Sequence, residues 1–214
     1  MIRVLLADDH AIIRDGLKQI LAETDDLLVC GEAADGNEVL RKVREGEWDV
    51  LVLDISMPGR SGLEVVKLVK EERPKLPVLI LSMHHEDQYA VRALRAGASG
   101  YLTKETDADQ LIAVIRKIAQ GGVYISATVA ELLARDVMPA ATTIPHQALS
   151  DREFQVFRMI AAGQSITEIG EALSLSVKTV STHKARIMQK MNLANQSELI
   201  RYALAHGLAE GPER

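Results

Sequence analysis

The 214-residue chain has one cysteine, Cys30. No disulfide framework can hold it, and a reducing compartment is expected. No apolar run approaches the roughly 20 residues a membrane helix needs, so no membrane partner is expected. The opening residues, MIRVLLADDH, meet acid too early for the apolar stretch of a signal peptide, which points to a cytoplasmic protein. There is no internal repeat and no low-complexity tract. Positive charge is in short supply: 25 Lys+Arg face 30 Asp+Glu, a formal net charge of −5 that taken alone argues against nucleic acid. Hydrophobic residues still make up 47% of the chain, so bulk disorder is excluded. The length allows one large or two small domains.

The charge is unevenly spread. Residues 1–121 hold 16 basic and 21 acidic side chains, residues 122–148 hold 1 and 2, and residues 149–214 hold 8 and 7. Within the last part, residues 173–193 carry Lys178, Lys184, Arg186 and Lys190 and no acid. The acidic excess belongs to the first part of the chain, and a basic stripe lies in the second.

Apolar runs at Val4–Ala7, Leu28–Cys30, Val50–Leu53, Val78–Leu81 and Tyr101–Leu102 alternate with helical patterns such as Ile12, Ile13, Leu17, Ile20 and Leu21. Five strands alternating with five helices predict a parallel sheet covered on both faces, because continuous apolar strands are buried on both sides. Gly121-Gly122 ends the fifth helix, residues 126–137 allow a short helix, and 138–147 read as an exposed linker. From Leu149 the pattern is helical. Ser150 with Glu153 forms a capping box, Gly163 stops that helix, Ser165–Leu173 is a short second helix, Ser176 caps a third over Val177–Met191, and Ser197 caps a fourth ending near Gly207.

Strand ends in such a sheet form one crevice where ligands bind. Asp8 and Asp9 follow the first strand, Asp54 the third, Ser82 ends the fourth and Lys104 follows the fifth. Three converging carboxylates are costly without a cation or a proton. Oxygen ligands suit a hard ion such as Mg2+. Three acids, a hydroxyl and a compact cation suit phosphoryl transfer to a carboxylate, with Asp54 attacking phosphorus in line. One strand-end aspartate would read as a helix cap; joint placement at four of five strand ends carries the assignment. His84 and His85 lie nearby and read as solvated or capping residues, with a metal role as the alternative.

The set Asp8-Asp9, Asp54-Ile55-Ser56-Met57-Pro58-Gly59-Arg60-Ser61-Gly62, Ser82 and Lys104 resembles the CheY-like receiver domain of two-component systems, over about residues 1–121. The resemblance implies a doubly wound sheet in the order 2-1-3-4-5. It implies that Asp54 accepts phosphoryl from a sensor histidine kinase. Mg2+ would be held by Asp9, Asp54 and the Ser56 backbone carbonyl, with Asp8 acting partly through water. Ser82 would be the switch hydroxyl, Lys104 its ion-pair partner and Tyr101 the aromatic that turns inward with it. One departure stands out: Glu105, not proline, follows Lys104, so a trans peptide, or a strained cis one held by the site, is expected there.

In the second half, a short helix, a tight turn and a basic helix fit helix-turn-helix logic. Val180, Ile187 and Met191 fall on one face of the third helix. Lys178, Ser181, Thr182, Ala185 and Arg186 fall on the other, with His183, Lys184 and Lys190 at the flanks. The segments Leu149–Glu153, Ala162-Gly163, Glu168-Ile169 and Val177–His183 resemble the LuxR-type output domain of NarL/FixJ regulators, over about 148–208. This implies Lys178, Thr179, His183 and Arg186 on phosphates of double-stranded DNA, and Ser181, Thr182 and Ala185 toward bases. Lys184 and Lys190 add basic charge for phosphate contact.

The whole reads as an α/β receiver (1–121), a linker with a short helix (122–147) and an all-α four-helix domain (148–214). The expected function is a phosphorylation-switched transcription regulator that forms a homodimer when phosphorylated and is not a turnover enzyme. A hydrolase using an aspartyl-phosphate would need a cap insertion, for which the loops are too short. A DNA-binding regulator controlled by ligand or partner without phosphate is the other reading.

Overall fold

In a computed structural model, residues 1–58, 60–137 and 145–209 are described. The chain divides into two units, Met1–Pro139 and Ala140–Arg214.

The first unit alternates strand and helix: β1 (Ile2–Ala7), α1 (Ala11–Ala22), β2 (Leu27–Ala33), α2 (Gly36–Glu45), β3 (Val50–Leu53), α3 (Gly62–Glu72), β4 (Val78–Ser82), α4 (Glu86–Arg95), β5 (Gly100–Thr103), α5 (Ala108–Ala119) and α6 (Ala127–Val137). The strands form one parallel sheet in the order β2-β1-β3-β4-β5. Side chains alternate between the two faces. Val4, Leu6, Val50, Val52, Leu79, Leu81 and Leu102 pack in one buried cluster with Leu17 and Leu21 of α1 and Leu111, Val114, Ile115 and Ile118 of α5. The opposite face buries Leu5, Leu51, Leu53 and Ile80, and α2, α3 and α4 pack in succession there. Strands β3 and β4 are buried along their whole length, which is why they read as continuous apolar runs. The edge strand β2 is longer than its apolar run and carries a bulge. Val4 pairs with Val29 and Leu5 with Gly31, so the intervening Cys30 has no partner and is exposed.

The register sets up the site. Ala7 is level with Leu53, Leu53 with Ile80, and Ser82 with Thr103. The ladder continues one step past the strands, with Asp54 N donating to Ala7 O at 2.8 Å and Lys104 N to Ser82 O at 2.9 Å. Those bonds bring the residues that follow the strands to one edge. Gly62 lets α3 start close under the β3 loop, since a Cβ there would lie 2.3 Å from the Ile55 Cα. Among the described residues there is no cis peptide.

The short helix expected within the linker stretch 122–147 is α6. Ser126 caps α6 by accepting the Val129 amide at 3.2 Å, and α6 packs on α4, so this helix belongs to the first unit. Residues 138–144 lie outside the described residues, and 145–148 form a 3-10 turn.

The second unit holds α7 (Asp151–Ala161), α8 (Ile166–Leu173), α9 (Val177–Lys190) and α10 (Gln196–Ala205). Ser150 with Glu153 and Ser165 with Glu168 both form capping boxes, and Ser176 accepts the Thr179 amide. Gly163 takes the left-handed conformation (φ 89°) that stops the first of these helices. The fourth helix starts earlier than expected. Asn195, not Ser197, is its cap, accepting the Glu198 amide at 3.0 Å, while Glu198 accepts the Ala194 amide at 2.7 Å. Asparagine caps as well as serine, and the reciprocal glutamate favours the earlier start. Phe154, Phe157, Ile160, Ile169, Val180, Ile187 and Leu199 form the core. Among the described residues no helix is long and apolar enough to cross a membrane.

Candidate functional site

The strand ends bring together most of the residues singled out in the first unit. Asp8 and Asp54 are buried, at 3% and 2% exposure, with Lys104 between them. Lys104 Nζ lies 2.5 Å from Asp8 Oδ2 and 2.7 Å from Asp54 Oδ2. The second Asp54 oxygen accepts the Ser56 amide at 2.9 Å. Burial pushes the Asp54 carboxyl above its ordinary value, opposed by the Lys104 hydrogen bond and charge and helped by the charge of Asp8. Burial also works against the Lys104 ammonium, but hydrogen bonds from Asp54 and Asp8 outweigh it and hold that pKa above the ordinary lysine value. The pocket thus sets two buried carboxyl groups against one lysine, an acid pair short of one positive charge.

Asp9 is exposed at the mouth. One donor atom each from Asp8, Asp9, His10 and Asp54 fits within a 4.8 Å span. Sequence reasoning did not include His10. The Asp-Asp-His order at a strand end is the signal that could have found it. Asp8 is bound directly to Lys104 and takes the His10 amide at 2.9 Å on its other oxygen. Of Ser56, the structure places the amide on Asp54 and the hydroxyl 3.2 Å from His84 Nε2. A hard cation fits this set: two buried carboxylates and a third at the mouth leave negative charge that Lys104 alone does not balance.

Ser82 and Tyr101 meet on His84. The Ser82 hydroxyl, fully buried, accepts the His84 amide at 3.2 Å. Tyr101 is also buried, and its hydroxyl donates to the His84 carbonyl at 2.8 Å. The His84 ring stacks on Tyr89, with centroids 5.0 Å apart. His84 is therefore a structural hub, neither the solvated nor the capping residue expected. His85 does fall at the N-cap of α4, without a side-chain capping bond.

In the second unit, Val180, Ile187 and Met191 of α9 are buried and Lys178, Ser181, Thr182, Ala185 and Arg186 are exposed. Ser181 and Thr182 donate to the Val177 and Lys178 carbonyls one turn back, at 2.9 Å each. The Thr179 hydroxyl is 2.8 Å from that of Ser176. Lys178 and Arg186 have no ion-pair partner among the described residues. Lys184 donates to Gln196 Oε1 at 2.6 Å. Lys190 has a partner within the domain: its ammonium sits 2.6 Å from Glu153, which is buried at 3% exposure. A buried carboxylate needs a counter-charge, which this lysine supplies. His183 is half-buried, and burial and the charges of Arg152 and Arg186 lower its pKa against the opposing pull of Glu153.

A parallel sheet with a lysine-bridged carboxylate at its edge, followed by a helix-turn-helix unit with a basic third helix, defines a receiver joined to a DNA-binding output domain. Comparison with known proteins agrees. Residues 4–116 match the response regulator receiver domain, and residues 147–203 match the bacterial regulatory proteins of the luxR family. The chain is 38% identical to the response regulator GacA of Pseudomonas viridiflava over 98% of its length and 99% of the relative's. It is 39% identical to the oxygen regulatory protein NreC of Staphylococcus carnosus, over 97% and 99%. The solved Salmonella typhimurium response regulator RcsB superposes with a TM-score of 0.71 at 27% identity, covering 95% of this chain and 97% of that one. RcsB has also been solved bound to promoter rprA in the presence of the phosphomimetic BeF3− (TM-score 0.66, 27% identity, 94% and 97% covered). The chain belongs to the NarL/FixJ family of two-component response regulators, with a LuxR-type DNA-binding domain.

Proposed function

We propose that phosphoryl transfer to Asp54 switches this regulator between a weakly and a tightly DNA-binding form, and that dimerisation is the step that changes. The observation that carries the reading is the buried Asp54 carboxylate, fixed through one oxygen by the Ser56 amide and through the other by Lys104. The donor is a sensor histidine kinase, met in the cytoplasm. An Asp54 oxygen forms a bond to phosphorus as the donor's phosphorus–nitrogen bond breaks, and the leaving imidazole takes up a proton. Asp9, Asp54 and the Ser56 carbonyl, with Asp8, would hold Mg2+, which would supply positive charge against the phosphoryl oxygens. Lys104 ion-pairs with the same oxygens. The phosphoryl group stays and is read rather than turned over.

The reading device is His84. In the structure described above, its amide is held by the Ser82 hydroxyl and its carbonyl by the Tyr101 hydroxyl. A Ser82 hydroxyl drawn to a phosphoryl oxygen gives up the amide, and the start of α4 shifts between two populations. On the output side, Lys178 and Arg186 contact phosphates together with Thr179, His183 and Lys184. Ser181, Thr182 and Ala185 face base edges, with Ala185 offering only an apolar contact.

The test is incubation with a small phosphodonor and Mg2+, wild type beside Asp54→Ala. Expected are a stoichiometric phosphoprotein in the wild type alone, a doubled sedimenting mass and tighter binding to captured genomic DNA. Unchanged mass and affinity in both proteins would favour a regulator controlled by ligand or partner instead. Rapid multiple turnover of the donor would favour a hydrolase.

A further inference from the structure

His10 brings the one nitrogen donor among the described groups able to hold a metal at the acidic pocket. The chain turns back at this point because Asp8 Oδ1 accepts the His10 amide at 2.9 Å. His10 occupies the N-cap position of α1 in an extended conformation, yet its side chain caps nothing. The ring instead places Nδ1 2.9 Å from Asp9 Oδ1 and 3.3 Å from Asp8 Oδ1. Opposite ligands of a cation with bonds of about 2.1 Å stand about 4.2 Å apart. The four donor atoms, within 4.8 Å of one another, are therefore already gathered to about the size of one coordination sphere. The ring is otherwise exposed, at 65%, so the proton displaced from Nδ1 can reside on the other nitrogen.

We propose that His10 Nδ1 is a direct ligand of the receiver's divalent cation, and that it biases the pocket toward late first-row ions such as Co2+ and Ni2+ over Mg2+. The inference rests on the reading of this pocket as a cation site. Mg2+ prefers oxygen and keeps its water, so a fourth protein ligand with nitrogen helps it little. Imidazole suits the later first-row metals, whose affinity for nitrogen sites rises along the series to copper. The same pocket then answers to two ion classes, with one residue deciding the ratio.

Pulsed electron paramagnetic resonance of the full-length protein loaded with Mn2+ tests the ligand directly. Wild type is expected to show the nitrogen coupling of a bound imidazole. His10→Gln should still bind Mn2+ and lose the coupling, and His84→Gln should keep it. In competition titrations, His10→Gln should lose at least about tenfold in Co2+ affinity relative to Mg2+, the scale at which changes around a metal are felt. A spectrum without nitrogen coupling, or a coupling that survives His10→Gln, overturns the proposal while leaving the cation site standing, provided that Mn2+ binding still depends on Asp9. Mn2+ binding that is absent from wild type, or unchanged in Asp9→Ala, overturns the cation site and the proposal together. His10 is exposed and caps nothing, so its replacement leaves folding intact, which a thermal melt of the variant verifies.

Discussion

The residues that matter most here are those with a buried partner. Asp54, Ser82 and Lys104 were legible because each stands next to a strand end, and strand ends can be read from apolar runs. His84 was not, because its role is carried by its backbone, through bonds to Ser82 and Tyr101, and no side-chain type announces that. The ion pair of Lys190 was hidden for a related reason. Charge on a helix looks the same in sequence whether it faces solvent or a buried acid, and Glu153 is 37 residues away. Glu153 resists burial but is pulled below its ordinary pKa by Lys190 and by Ser150, so it stays charged and needs its partner. Lys190→Met should therefore destabilise the output domain by about 1–3 kcal/mol, toward the lower end because the lysine is half exposed. Denaturant melts of the full chain would measure this, and the salt dependence of DNA binding should barely move. Lys178→Met should do the reverse. His183 gives a pH signature. Its folded pKa lies below the ordinary 6.5. Below pH ~6.5 the unfolded state therefore binds more protons, and stability should be full above that value and fall as pH drops through it. His183→Gln should flatten that part of the curve in melts taken across the acid range.

At the level of elements, the alternation of strand and helix and the four helices after Leu149 could be read from periodicity and caps. The cap of α10 could not be read correctly, because Asn195 and Ser197 are both good caps and only the reciprocal Glu198 bond decides between them. The status of α6 was also hidden. A short amphipathic helix after the sheet reads as linker, but its packing on α4 is a tertiary fact. A hydrogen bond from the Ser126 hydroxyl to the Glu86 carboxylate joins the first residues of the two helices. Glu86 stands two residues after His84, so the helix that begins beside the site is tied to α6. Ser126→Ala removes both that tie and the α6 cap, a loss of about 1 kcal/mol. Hydrogen exchange should then quicken in α6 amides, while the rate at which Asp54 takes up phosphoryl from a small donor stays as in wild type. Equal exchange in the two proteins would mean that α6 is held by its apolar contacts alone.

For the whole molecule, the acidic total conceals a near-neutral output domain whose usable positive charge is small. With Lys190 committed to Glu153, the cations left on α9 are Lys178, Lys184 and Arg186, and Lys184 is shared with Gln196. At about −0.9 per neutralised phosphate, one such domain supports a slope of log affinity against log salt of no more than about −3. A pair bound to two half-sites supports about −6, and the difference is large enough to read as a change of assembly. Full-length protein titrated onto its captured DNA at several salt concentrations should show the shallow slope without phosphodonor and the steep slope with phosphodonor and Mg2+. Asp54→Ala should stay shallow in both. A slope that stays shallow while affinity rises would place the switch within a single output domain, in the exposure of its recognition helix. A steep slope already present without phosphodonor would mean that the dimer forms on DNA regardless of Asp54, and that phosphorylation tunes something other than assembly. Weak charge in each output domain is what makes this measurement decisive. A strongly basic domain would bind DNA alone, and its salt slope would not register the arrival of a second copy so clearly.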